Sequence, residues 1–132
     1  MGIYGKAAIA AVSIYDSINR PDPRECWEDS IILFTNSKDS QEKGCPRSAF
    51  LGLCQDEYVK GISKGNYLSS DSRNKRYAVV AAELVLKEPE RKYSKAELWR
   101  NATENHPDAA KNQNGQMDVV MALKDAGLLQ KP

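Results

Sequence analysis

Cys45 stands between Lys43 and Arg47 and directly before Pro46. Proline suits the first turn of a helix, where the amide it lacks would have had no partner, and Gly44 suits a sharp entry of the chain. A thiol at a helix N-terminus between two cations is in surroundings that favour the thiolate, which is the nucleophilic form. A nucleophile also needs a base. The one histidine, His106, falls in a distant polar stretch before Pro107, and nothing in the spacing joins it to Cys45. The competing reading makes Cys45 a small capping or buried residue.

A second constellation is electrostatic. Lys60, Lys64, Arg73, Lys75 and Arg76 face only Asp71 in the stretch from Tyr58 to Tyr77, with the three rings of Tyr58, Tyr67 and Tyr77 interleaved. Cations among aromatic rings are what a single-stranded nucleic acid or other polyanion surface uses, charges for the backbone and rings for stacking. On a helix whose inner face carries Tyr77, Val80 and Leu84, however, Lys75 points nearly opposite and Arg73 lies close to the buried side. Such a set does not converge, and a solvated basic face is the plainer reading. Metal binding would need Cys26, Cys45, Cys54 and His106 together, yet no two cysteines have the two- to four-residue spacing of zinc ligands. No metal and no cofactor is expected. The acidic pairs Glu28-Asp29 and Asp56-Glu57 have no convergent histidine, and Gly61 to Gly65 lacks P-loop spacing.

The stretch Cys45-Pro46-Arg47, followed by Ala49-Phe50-Leu51-Gly52-Leu53-Cys54, resembles a pattern found in a group of small uncharacterised bacterial proteins. The likeness continues through Val59-Lys60-Gly61-Ile62, Glu97-Leu98-Trp99 and Gly115-Gln116-Met117-Asp118-Val119-Val120. That resemblance implies a bacterial, intracellular, single-domain protein and carries no activity, ligand or partner with it.

The elements that must hold these residues are helical. The segment opening near Gly44 puts Phe50, Leu53 and Cys54 on one face, and small Ala49 and Gly52 leave room for a second backbone, as in a buried central helix. Before it, Tyr4, Ala8, Ala11, Tyr15 and Ile18 recur at steps of four and three, which predicts a helix over Ile3 to Asn19 with an alanine-rich stripe. Arg20-Pro21 breaks that pattern. Asp22, Pro23 and Glu25 then form a capping-box signature for a second helix, with Trp27, Ile31, Ile32 and Phe34 inward. Asn36 to Lys43 reads as a loop. Tyr67 and Leu68 pack back on the core, and Tyr77, Val80, Ala81, Leu84 and Val85 mark a helix closed by Glu88-Pro89. Ser94 and Glu97 form a second capping box, with Tyr93 and Leu98 as its hydrophobic staple. That helix carries Leu98, Trp99 and Ala102 inward to near Asn105, and His106 to Asn114 is a loop. Met117, Val120, Met121 and Leu123 define the last helix, with Gly127 as its left-handed stop and Leu128 folding back on Leu123.

The sequence therefore predicts one all-α domain over residues 1–132, a bundle of about six helices without a strand pattern. The last three resemble a helix-turn-helix core, but the span before the final helix is far longer than the usual turn, and only Gln130-Lys131-Pro132 follows where a wing would begin. A trihelical packing unit is the plainer reading, since folds of this kind host unrelated functions.

With 19 basic and 18 acidic residues the chain lacks the overall charge of a nucleic-acid binder, although from Val59 onward the balance is 13 to 9. Three cysteines in a chain of this length point to reduced thiols and a cytoplasmic setting. No run reaches transmembrane length, and the apolar stretch Ala7 to Tyr15 continues into a periodic helix rather than a leader. No activity is legible. The expected role is a small interaction or scaffold module offering a helical face to a protein partner or a second copy. The alternatives are an enzyme acting through Cys45 and a polyanion binder acting through residues 60–76.

Overall fold

The computed structural model describes every residue except Met1, Arg20, Pro21, Ser69, Ser70 and Asp71, and only the backbone of Asp16, Ser17 and Ile18. The Arg20-Pro21 break, the inward turn of Ile18 and the charge of Asp71 lie outside the described residues. Among the described residues the chain is all-α: α1 Ile3–Ile18, α2 Pro23–Ile31, the single turn α3 Lys38–Gln41, α4 Gly44–Gln55, α5 Arg73–Lys87, α6 Lys95–Ala102 and α7 Gln116–Asp125. Six of these have eight or more residues. No described helix is long and apolar enough to cross a membrane.

Helix α4 is the centre. Six consecutive residues, Ala49 to Cys54, are buried, so it is covered on several sides rather than along one stripe. Helices α2, α5 and α7 pack on it, while α1 packs on α2 and α7. Gly52 is the point of closest approach: a Cβ there would lie 2.5 Å from Lys75 Cγ and 2.9 Å from Lys75 Cα. Only glycine admits α5 at that distance. The alanine stripe of α1 serves a similar end, with Ala7, Ala8 and Ala11 fully buried.

Helices α4 and α7 end alike. Each stops in a Schellman turn, Tyr58 N–H donating to Leu53 O (2.9 Å) and Leu128 N–H to Leu123 O (2.8 Å). The left-handed residue is Gly127 (φ 71°) in α7 and Glu57 (φ 65°) in α4. The chains leaving the two turns meet as an antiparallel bridge, Val59 against Leu129. Lys60 N–H donates to Leu128 O (2.8 Å) and Gln130 N–H to Tyr58 O (2.9 Å). Where a wing would start, the chain instead fastens α7 to α4. Helices α5, α6 and α7 do pack on one another as a trihelical unit, with residues 103–115 between the last two.

Several expectations are corrected. The span from Asn36 to Lys43 holds α3, whose first turn is capped by Ser37 Oγ accepting from Ser40 N (3.2 Å). Helix α4 starts at Gly44, so Pro46 is its third residue, still within the turn whose amides lack partners. Because α2 ends at Ile31, the helical period no longer turns Ile32 inward, and it is 55% exposed. Helix α5 buries Ala78 and Ala82 with Tyr77, Ala81 and Val85, leaving Val80 and Leu84 half-buried. Helix α6 stops at Ala102 rather than near Asn105. Its Ser94 cap is present, Ser94 Oγ accepting from Glu97 N (3.1 Å), while the Glu97 carboxylate accepts from Arg91 (3.1 Å).

The Gly52 contact has a measurable sign. Gly→Ala in a helix ordinarily gains about 1 kcal/mol, but here the new methyl meets a backbone carbon that moves only with the whole of α5. Gly52→Ala is expected to lower stability by about 1–3 kcal/mol in a denaturant titration, and a stabilised variant would show that the two helices are not in this contact.

Candidate functional site

Cys45 is the second residue of α4 and is half-buried. Its Sγ accepts a long hydrogen bond from Asn114 Nδ2 (3.9 Å). The two cations beside it in sequence engage other groups: Lys43 Nζ lies 5.4 Å from the centre of the Tyr4 ring, and Arg47 pairs with Glu28 at 3.6 Å. His106 sits edge-on to Tyr77, ring centres 5.2 Å apart. The recorded neighbour of the thiol is thus an amide, which cannot take its proton. Cys26 and Cys54 are fully buried, and burial pushes the Cys54 thiol well up, with nearby Cys26 adding to the effect.

Asn114 belongs to a polar cluster that the sequence leaves as plain loop. Gly115 (φ 98°) has no side chain to cap α7. Gln113 Oε1 does it instead, accepting from Gly115 N (2.8 Å) and Met117 N (3.1 Å). Buried Gln116 accepts from Asn114 N and donates to Asn74 Oδ1 (2.9 Å) at the start of α5. Asp118 accepts from Gln113 Nε2 (3.2 Å) and pairs with Lys95 at the start of α6 (2.6 Å). These bonds tie the first turns of α4 to α7 together. The run Asn112-Gln113-Asn114 ahead of an apolar helix was the available signal. With its amides bonded to Asn74, Asp118, Cys45 and the first backbone amides of α7, the cluster positions helices.

The basic stretch divides. Lys75 runs across Gly52 to Asp56 (Nζ–Oδ1 3.1 Å) and is only 18% exposed, so it is neither opposite the core nor free for a polyanion. Arg73 is exposed rather than near the buried side, and with Arg76 it borders a small cleft alongside Tyr77, His106 and Asp108. Lys60 and Lys64 are exposed on the segment after α4, Lys60 taking part in the bridge to Leu128 through its backbone. Tyr58 and Tyr77 are buried, and the Tyr67 hydroxyl donates to Ser63 O (2.6 Å). Two of the three rings are therefore withdrawn from stacking. No group of three or more His, Cys, Asp or Glu among the described residues is arranged to hold a metal ion.

The surface feature that the sequence missed lies at the end of α2. Ile32 (55% exposed) and Leu33 (67%) are the exposed large hydrophobic residues among those described. They follow one another in a turn held by Leu33 N–H to Ser30 O and Phe34 N–H to Ile31 O. Ile32 borders an open cleft of about 470 Å³ between α2 and the start of α4, with Trp27, Ile31, Glu28, Glu42 and Arg47 around it. Trp27 stacks on Phe50 at 5.4 Å, but its Nε1–H is buried without an acceptor among the described residues. An unpaired buried donor costs about 1–3 kcal/mol.

Taken together, the architecture is an all-α bundle with polar fastening at its helix starts and an apolar cleft at its rim. Residues 1–130 match the Family of unknown function (DUF6979), and the chain belongs to that family. No curated protein and no solved structure matches it.

The cysteines separate by accessibility. In the folded protein, a thiol reagent such as 5,5′-dithiobis(2-nitrobenzoate) is expected to label Cys45 alone, with Cys26 and Cys54 released only in denaturant. Rapid native labelling of Cys26 or Cys54 would contradict the burial of the α2–α4 contact.

Proposed function

We propose that the chain is a single-domain, cytoplasmic bacterial interaction module that holds a short segment of a partner protein in the cleft between α2 and α4. The observation that carries this reading is the Ile32-Leu33 pair, exposed beside the cleft that Trp27 and Ile31 line. Large apolar side chains standing together in water are what a docking surface uses.

The occupant follows from the size and charge of the site. Two side chains expose far less than the roughly 800 Å² per partner of a stable subunit interface, so a short segment fits better than an obligate second copy. At the rim, Arg47 is paired with Glu28, and Glu42 has no ion-pair partner among the described residues. An apolar anchor followed by a lysine or arginine complements that edge. Charge at such a rim chiefly selects the partner, while the buried anchor supplies the affinity.

A photo-crosslinking residue at position 33 tests this in cells of the native host. The expected outcome is one discrete adduct from position 33, lost when Ile32→Asp is added and absent when the crosslinker stands at Lys64. Adducts that are the same from both positions, or that survive Ile32→Asp in a protein with unchanged circular dichroism, would remove the cleft from consideration.

A further inference from the structure

A second cleft, of about 580 Å³, lies between α6 and the 103–115 connection, within the size range of small-ligand sites. Its apolar lining comes from Ala96, Trp99, Ala109 and Ala110, and every formally charged residue on it is a cation: Lys95, Arg100 and Lys111. Lys95 is held by Asp118 at 2.6 Å. Arg100 and Lys111 have no ion-pair partner among the described residues and are exposed.

The walls are fixed by the protein's own bonds. Trp99 Nε1–H donates to Ala110 O (2.9 Å) and Thr103 Oγ–H to Trp99 O (2.8 Å). The connection is thus tied across the cleft to the helix it leaves, and a site built in advance avoids the entropic cost of ordering a loop on binding. His106 borders this cleft and also the smaller one, where Arg73 and Arg76 stand with Asp108. Long connections held on a rigid scaffold are where binding sites concentrate.

From this geometry we infer that the α6 cleft binds a small organic anion, its apolar body against Trp99 and the alanines and its acidic group between Arg100 and Lys111. A polymer is disfavoured by the same surface: Trp99 reaches the cleft as one mostly buried ring and Tyr77 is buried, so there is no series of open ring faces for successive bases to stack on. The site is separate from the α2–α4 cleft and does not rest on it.

The probe is 8-anilinonaphthalene-1-sulfonate, an aryl body with one sulfonate, titrated by fluorescence. N-phenyl-1-naphthylamine serves as its uncharged counterpart. The folded protein is expected to bind the sulfonate, and Arg100→Glu with Lys111→Glu to weaken it by about tenfold or more. Lys60→Glu with Lys64→Glu is expected to leave it unchanged, and circular dichroism establishes that both variants are folded. Three results would each overturn the site: no binding, binding equally weakened by the Lys60 and Lys64 reversal, or binding abolished by Leu33→Asp, which would place the dye at the α2–α4 cleft. Equal affinity for the uncharged dye would remove the anionic requirement and with it the ligand class.

Discussion

The close approach of α5 to α4 at Gly52 sets the geometry of the rest. Because Lys75 Cα lies 2.9 Å from where a Cβ of residue 52 would stand, the two helices meet backbone to backbone, and the Lys75 side chain must run sideways over α4 to reach Asp56. The placement of α5 then determines where Asn74 meets Gln116 and where Tyr77 meets Trp99, whose rings pack edge-on at 5.2 Å. Both clefts lie at the margins of this arrangement, one where α2 runs out beside α4 and one where α6 leaves the trihelical unit.

Opposite ends of the central helix are secured by different chemistry. At its start, side-chain amides join the first turns of α4, α5 and α7, and the Lys95–Asp118 ion pair adds α6. At its finish, backbone groups do the work, through two Schellman turns and the bridge between Val59 and Leu129. Glu57 accepts a left-handed conformation there that disfavours an L-residue by about 1–2 kcal/mol. The offsetting gain is that Tyr58 and Val59 are carried into the core. The amide-rich end is the one that touches Cys45, whose half-buried thiol has the sequence context of a nucleophile and the Asn114 amide as its hydrogen-bonding neighbour.

What was legible in the sequence is what local physics decides. Caps at Asp22 and Ser94, the stop at Gly127 and the small residues Ala49 and Gly52 follow from backbone sterics and short-range hydrogen bonds, and the structure has each of them. The all-α class followed from the same signals. Illegible were features set by distant partners. Helical periodicity points Lys75 away from the core, whereas its direction is set by Asp56 at the end of α4. The helical period would turn Ile32 inward, but α2 ends one residue before it. Gln116, in the middle of a buried surface, could be paired only by Asn74, far away in sequence. The cationic cleft draws Arg100 and Lys111 from opposite sides of a turn and was invisible as a run of charge.

Fastening of α7 to α4 by the bridge closes the end of the central helix that the close approach of α5 leaves open, because it joins residues 128–130 to residues 58–60. Native-state hydrogen exchange followed by NMR measures it directly. Protection at the Lys60 and Gln130 amides comparable to that of Leu53 and Leu123 is the expected result, since all four would then open only with the core. Exchange of Lys60 and Gln130 at the rate of exposed loop amides, with Leu53 and Leu123 still protected, would contradict it.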